Sequence, residues 1–422
     1  MKKSTRGEVD LVIVGAGVAG LSAAKECERR GISFVVIEAS HRIGGRAHSE
    51  EIAPGIRFDL GCSYMHQGHI NPFGPIADEL GFTVGREFGD FFSAAKCDLW
   101  HNGARRVGAE RDAYWRYANR CDDAAARAPA AGRDVAITDV MDIEDDEASL
   151  YLYALAALNA CDPDQTSVVD YANFGSGQDW PIRESFGALV ATWGRDVPVS
   201  LNTWVERIDW SGSGVAVETS KGTVRGRMAL ITASTGVLAA GDIKFEPALP
   251  SWKLDAIGAL PTGCANKIAV HFDRDVFGAE ARGFTYTENG RDEPSGFEVN
   301  LFGDPVAVIF TGGRFGEWLE RQGQSTGEEY AISRVADVFG NDCRSHVTRC
   351  IVSAWASDPW TRGAYSSARP GHGHQRRELA RDVGGRLFFA GEAAIEVHQA
   401  TCHGAYLSGL ETIERVAAQL AS

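Results

Sequence analysis

Few folds accommodate the way this chain opens: a short strand, a three-glycine turn, a helix, and a second strand that ends on an acid. Residues 11–14 (LVIV) are all apolar, as a buried strand requires. Gly15, Gly17 and Gly20 follow at the spacing GxGxxG. Gly15 permits a tight turn, Gly17 lets a pyrophosphate reach the backbone, and Gly20 lets helix and strand pack closely. A helix is predicted to about Arg30 and a second strand over residues 32–37. The free N–H groups at the start of the helix suit phosphate. Glu38 stands where a carboxylate accepts hydrogen bonds from ribose hydroxyls. A lone GxGxxG also fits an ordinary glycine-rich loop. The full strand–turn–helix–strand–acid order predicts a dinucleotide-binding βαβ unit. The next segment, EASHRIGGRAHSE, adds Gly44, Gly45 and Arg46, where two glycines bring backbone close to a ligand and an arginine can neutralise phosphate.

The chain is long enough, at 422 residues with 44% hydrophobic, for two domains with sizeable cores. A formal net charge of -15 argues against nucleic acid or an anionic membrane surface as partner and modestly favours a cationic substrate. Nine widely spaced cysteines, an odd number with no CxxC, predict reduced thiols in a cytoplasmic protein. The start MKKSTRGEVD has no apolar core of a signal peptide, and no stretch is long and apolar enough to span a bilayer.

Residues 124–134 (AAARAPAAGRD) are expected to form a loop between helices, and residues 144–160 a helix with its acids in the first turn. Alternation over residues 213–232 predicts two strands joined at Lys221-Gly222, and NKIAVHF and PVAVIF read as strands of a second sheet. Near the C-terminus, RLFFAGEAA predicts a strand ending at Gly391-Glu392, with a helix opening near Gly404.

The EAxxRxGGR segment and the C-terminal FAGE and GAxxSG segments resemble the flavin-dependent amine oxidase family, which includes monoamine and polyamine oxidases and histone lysine demethylases. The resemblance implies an α/β fold: a discontinuous Rossmann-type FAD-binding domain with an inserted α+β substrate domain. The expected limits are 1–75, 196–262 and 350–422 for the first and 76–195 and 263–349 for the second. It implies FAD, held by Gly15, Gly17, Gly20, Glu38, Arg42, Gly45, Arg46, Gly61, Cys62, Ser63, Val205, Gly391, Glu392, Thr401 and Cys402. Lys267 stands where the family has a lysine that contacts the flavin through a water. Trp355 matches a tryptophan packed near the flavin, and Tyr365 matches one side of an aromatic amine cage, whose face also attracts a cation. FDLGCSYMHQGHINPF resembles the LGASWIHG…NP segment of polyamine oxidases and places His66 toward the substrate as acceptor or proton shuttle.

The sequence also departs from the family. Ala364 replaces the cysteine that binds flavin covalently in monoamine oxidases, so non-covalent FAD is expected. Thr401 replaces the second cage tyrosine, and Glu184-Ser185 replace a glycine pair; Glu184 reads either as a carboxylate that selects a cationic substrate group or, more commonly for such a position, as a helix cap or surface residue. The implied reaction is oxidation of an amine C–N bond to an imine that hydrolyses, with oxygen giving hydrogen peroxide. The partners are thus a small amine and oxygen, and no metal is expected. Three other readings stay open: a FAD-dependent desaturase, a binding protein on the same scaffold, and an amino-acid oxidase that would need a carboxylate-binding arginine such as Arg183.

Overall fold

The computed structural model describes residues 8–89, 93–175, 177–278, 283–288 and 294–421. The first strand, Glu8–Val14, lies inside a sheet buried on both faces. Leu11 and Ile13 enter one core and Val12 and Val14 another, all at most 6% exposed. A parallel strand covered on both sides has this continuous apolar run rather than an alternating one. It pairs in parallel with Phe34–Ile37 on one side and Gly222–Ile231 on the other. The ten-residue strand Gly222–Ile231 also takes Val215–Thr219 antiparallel along its first half and Leu387–Phe389 parallel along its second. The C-terminal FAGE segment thereby reaches the sheet that begins at residue 8.

The helix Val18–Arg30 covers one face together with the C-terminal helix Cys402–Ala421. The two cross closely: a Cβ on Gly409 would sit 2.1 Å from Ser22 Oγ, which donates to Tyr406 O at 2.9 Å. The helix Phe186–Gly194 buries Phe186, Leu189 and Val190 in this same core. That differs from the expected limit at residue 195, which put this helix in the inserted domain. The face it buries is apolar enough to follow the nearer core.

The second sheet runs Val347–Val352, Ala265–Phe272, Val306–Gly312, Pro294–Val299, Gly283–Glu288, Cys97–His101, Ala104–Arg105 in spatial order. Its strand Val347–Val352 spans the other expected limit, at 350. Strand pleating splits its residues between two environments. Ile268, Val270, Phe297 and Ile309 pack against the helices Gly313–Gln322 and Gln324–Phe339. Lys267, Phe310, Gly296 and Tyr286 fall on the opposite face, which lines a cavity.

The expected loop at 124–134 is instead mostly helix, because Gly108–Ala130 continues to Ala130. Alanine has the highest helix propensity, and Pro129 falls in the last turn, where it breaks little. The chain leaves at Gly132, whose φ is +71°. The helix expected over 144–160 spans Ala148–Asn159, with its acids ahead of the first turn.

Candidate active site

One continuous cavity of about 1030 Å³ runs from the glycine turn, past both sheets, to the helices Gly108–Ala130 and Ala148–Asn159. That is at the upper end of ordinary small-molecule sites.

At the turn, a Cβ on Gly20 would lie 2.0 Å from Gly15 O, and one on Gly15 would lie 2.4 Å from Thr232 Oγ1. Both positions are closed to any side chain. Gly17 is different: its φ of -70° suits any residue, and an added Cβ would meet only Gly45 Cα, at 4.0 Å. Its space opens into the cavity, at a helix N-terminus with no side-chain cap. The open cradle and the uncapped N–H groups fit a pyrophosphate. Glu38 accepts from Ala16 N at 2.7 Å and Ser40 N at 2.8 Å, so its carboxylate is fixed on the cavity wall with lone pairs to spare. Gly45 crosses close over the same turn, its added Cβ 3.2 Å from Gly17 Cα, so the glycine pair brings the second loop against the first as well as toward the cavity. Arg42 spans back to Gly45 O at 2.6 Å. Val205 lines this end of the cavity. We expect Gly17→Val to yield a folded protein with near-normal Tm that purifies without FAD. Normal flavin content in that variant would show that this cradle does not hold the pyrophosphate.

Arg46 joins the two ends of the chain. It donates to Glu392 Oε1 at 2.9 Å and to Ala364 O at 2.5 Å. Glu392 also accepts from Ser366 Oγ at 2.7 Å. Burial alone would raise its pKa, but Arg46 and Arg376 hold it below the usual carboxylate value. Gly391 lines the cavity beside it, where its φ of +140° favours glycine.

The second sheet contributes Lys267, 8% exposed, whose Nζ donates to Ser63 Oγ. Burial pulls its pKa down, and Asp59 and Glu298 oppose that shift. Burial pushes Asp59 up to about 6 and Glu298 up to about 7, with Lys267 pulling against both. Asp59 also accepts from Phe186 N and Gly187 N, at the start of the helix Phe186–Gly194. Glu298 is hydrogen-bonded by Tyr64. Gly61, Cys62 and Ser63 line the cavity in front of this cluster. A Cβ on Gly61 would lie 1.6 Å from Arg46 O, so the segment between the strands Ile56–Asp59 and Tyr64–Met65 passes flush against Arg46.

Trp355 and Tyr365 form the adjoining wall. Trp355 Nε1 donates to Leu60 O at 3.0 Å, which fixes the indole. The Tyr365 hydroxyl lies 2.8 Å from Leu158 O and 3.0 Å from Ala157 O, at the end of the helix Ala148–Asn159. Thr401 lines the cavity, but its hydroxyl donates to His398 O at 2.5 Å and accepts from Gly404 N at 3.0 Å. It caps the C-terminal helix. Cys402 follows, its thiol beside Cys62 and pushed up by burial. His66 lines the cavity with Nδ1 2.8 Å from Asp179 Oδ1. Tyr114, Tyr151, Tyr153 and Tyr171 enclose the far end.

Outside this set, Arg183 is paired with Asp304, so it is not free to receive a substrate carboxylate. Glu184 accepts from Thr83 N and Oγ1, and the cap of the helix Phe186–Gly194 is Ser185, which accepts from Ala188 N at 3.1 Å. All nine cysteines are free. Among the described residues, no group of three or more potential ligands could hold a metal, and no helix is long and apolar enough to cross a membrane.

The sequence profile of the flavin containing amine oxidoreductases matches residues 124–417, more than half of the chain. The chain belongs to this family. The profile of an NAD(P)-binding Rossmann-like domain matches residues 13–79, and the amine oxidoreductase uses FAD as its cofactor. It is an FAD-dependent enzyme of the amine oxidase type. It is similar to polyamine oxidase 4 of Oryza sativa subsp. japonica, 28% identical over 95% of this chain and 87% of that protein. It is 29% identical to lysine-specific histone demethylase 1 homolog 3 of the same plant, over 97% of this chain but 54% of that protein, so it spans about half of that relative. A putrescine oxidase structure, wild type bound to putrescine, superposes with a TM-score of 0.79 at 20% identity, covering 98% of this chain and 99% of that one. The fold of the amine oxidoreductase is therefore the one its terminal motifs predict.

Sequence reading missed Asp59, Glu298 and Asp179. Glu298 sits between Phe297 and Val299 in its strand, a signal like that of Lys267, whereas Asp59 ends the strand Ile56–Asp59, which already carries Arg57.

Proposed function

We propose that this enzyme oxidises the C–N bond of a primary or secondary amine, polyamines first among the candidates, to an imine that water hydrolyses. Dioxygen is the electron acceptor and hydrogen peroxide its product. One observation carries this reading: a buried lysine on the cavity wall, Lys267, its pKa lowered by burial, stands between a dinucleotide cradle and an aromatic wall. The proposed cofactor set is Gly15, Gly17, Gly20, Glu38, Arg42, Gly45, Arg46, Gly61, Cys62, Ser63, Val205, Trp355, Gly391, Glu392, Thr401 and Cys402. Bound flavin supplies the acceptor for a hydride equivalent from the amine α-carbon.

The chain's own residues do the rest. Tyr365 and Trp355 offer aromatic surface to the substrate's carbon chain and hold its nitrogen in place. Thr401 shapes the same wall through its cap on the C-terminal helix. His66 takes part in proton movement at the amine. Lys267, its pKa lowered by burial, positions a water and assists proton movement. The cofactor domain is assigned to 1–75, 196–262 and 350–422 and the substrate domain to 76–195 and 263–349, the packing of the helix Phe186–Gly194 favouring an earlier limit. Nine free thiols support a reducing compartment, the cytoplasm.

A peroxide-coupled assay across polyamines, monoamines and amino acids tests the reaction. Turnover of any amine supports it. Flavin-loaded protein that gives no peroxide with the whole panel contradicts it. In the same assay Tyr365→Ala should raise KM for amines at least tenfold with little change in the flavin spectrum. Loss of flavin instead would show that the tyrosine is structural.

A further inference from the structure

The cavity wall carries a carboxylate that no step above uses. Asp179 is 4% exposed, lines the cavity, and stands in the segment leading into the strand Trp180–Pro181. That strand pairs antiparallel with Tyr64–Met65, directly before His66. Two further contacts fix the geometry: Gly68 N donates to Gln178 O at 2.8 Å, and Asn71 Nδ2 donates to His66 O at 2.9 Å. The imidazole packs edge-on against Phe174, with ring centroids 5.4 Å apart. Backbone is therefore held on both sides of the pair, and the ring plane is set.

A carboxylate oxygen accepts and does not donate, so the 2.8 Å contact places the proton of a neutral His66 on Nδ1. The lone pair is then on Nε2, the ring's remaining polar atom, and 23% of the side chain stays accessible at the cavity wall. Among the described residues, the bond from His66 is the one hydrogen bond the Asp179 carboxylate accepts. A buried carboxylate with a single partner stabilises a fold poorly. It is well suited to fixing a tautomer and stabilising the imidazolium that forms when the ring gains a proton.

An amine arrives mostly as its ammonium form, which has no lone pair to support a forming C=N bond. We propose that Asp179 and His66 form a dyad that removes this proton inside the cavity, with His66 Nε2 as the base and Asp179 as its positioning residue. The N–H bond of the ammonium breaks, the N–H bond at Nε2 forms, and Asp179 balances the new positive charge. No electrons move in this step, and the proton leaves to water.

The other groups facing His66 leave the assignment intact. Tyr64 lies on its own strand, 6.2 Å away between ring centroids, and is hydrogen-bonded to Glu298. His403, from the C-terminal helix, is pushed by burial down to about 3 and stays neutral. Its neighbour His398 is also lowered by burial. Lys267, from the second sheet, is engaged with Ser63 and lowered by burial. Phe174 has no charge. Asp179 is thus the group in contact with the ring that can compensate a charge on it.

The proposal rests on the amine oxidase reading, and pH separates the two. Without an internal base, only amine already free in solution reacts, and that fraction grows toward the ordinary amine pKa of about 10.4. Flavin reduction by the best amine would be followed anaerobically in wild type, Asp179→Asn, Asp179→Glu and His66→Gln from pH 7 to 10. Asp179→Asn keeps the shape but cannot hold the tautomer or balance the charge. Its kcat/KM should fall at least tenfold at pH 7 and come within about twofold of wild type at pH 10. Asp179→Glu should restore part of the neutral-pH rate, and His66→Gln should show the same alkaline recovery. A loss equal at every pH, or no loss, would overturn the dyad. Should Asp179→Asn not fold, His66→Gln decides by the same criterion. If no amine reduces the wild type at any pH, the amine reading fails and takes the dyad with it.

Discussion

Replacing Lys267 with Met should leave a folded protein with its flavin bound and slow either flavin reduction by amine or reoxidation by oxygen well beyond tenfold. The side chain is 8% exposed, and its Nζ sits 5.7 Å from the Phe58 ring centroid and 5.9 Å from that of Phe310. Met fills that apolar sleeve with similar length and flexibility, so packing survives. Replacing a buried ionisable group with an apolar one of similar volume is often neutral for stability. What Met removes is the donor to Ser63 and the group that pulls the acids down. Asp59 and Glu298, already at about 6 and about 7, should rise further without Lys267, toward their uncharged forms, which limits the cost to the fold. General acid–base assistance of this kind contributes roughly 10²- to 10⁴-fold, which sets the scale of the loss. Stopped-flow traces of the reductive and oxidative half-reactions measure it separately in each. Unchanged rates in both would remove Lys267 from the mechanism.

The second large effect concerns stability. Arg376 is 1% exposed and donates to Asp170 at 2.5 and 2.7 Å, to Ser366 Oγ at 2.8 Å and to Ser366 O at 3.1 Å. Asp170 belongs to the helix Val168–Phe174, while Ser366 Oγ donates to Glu392 Oε2. One guanidinium thus ties a helix near the far end of the cavity to the carboxylate that holds Arg46. Arg376→Met leaves Asp170 with a buried charge and, among the described residues, only Ala368 N to donate to its carboxylate. Breaking a buried pair from one side costs about 3–5 kcal/mol. In a chain of this size that lowers Tm by roughly 3–6 °C. Flavin content should fall as well, because Ser366 loses the donor that orients it toward Glu392. Adding Asp170→Asn to Arg376→Met removes the stranded charge and should recover part of the Tm. Calorimetry on the single and double variants tests this, and a single-variant loss under 1 kcal/mol would contradict the account.

The parts of the site legible in sequence were those whose chemistry is local. Gly15, Gly20 and Glu38 are placed by the turn and strand that carry them, so their spacing alone put them at this turn. Lys267 was visible because a charge in an apolar strand has to be explained. Residues that act across the fold gave less signal. Asp179 acquires meaning only when Trp180–Pro181 pairs with Tyr64–Met65, more than a hundred residues earlier. Asp170 and Arg376 meet from segments 206 residues apart. The tyrosines at the far end come from three helices whose spacing reads as ordinary core. The loop expected at residues 124–134 is helical as far as Ala130, where the alanines ahead of Pro129 (Ala124, Ala125, Ala126 and Ala128) carry the helix on. The helix Phe186–Gly194 was assigned to the inserted domain by its position in the chain, while its apolar face joined the core of the first sheet. Thr401 was placed by its match to the amine cage, and its hydroxyl turned out to be engaged as a helix cap.

The most direct test of the central claim is an anaerobic titration of the purified yellow protein with amines, reading the loss of oxidised-flavin absorbance. Reduction by at least one primary or secondary amine, with a rank order that favours polyamines, is the expected result. Flavin that stays oxidised with every amine, yet is bleached by a chemical reductant, would contradict it.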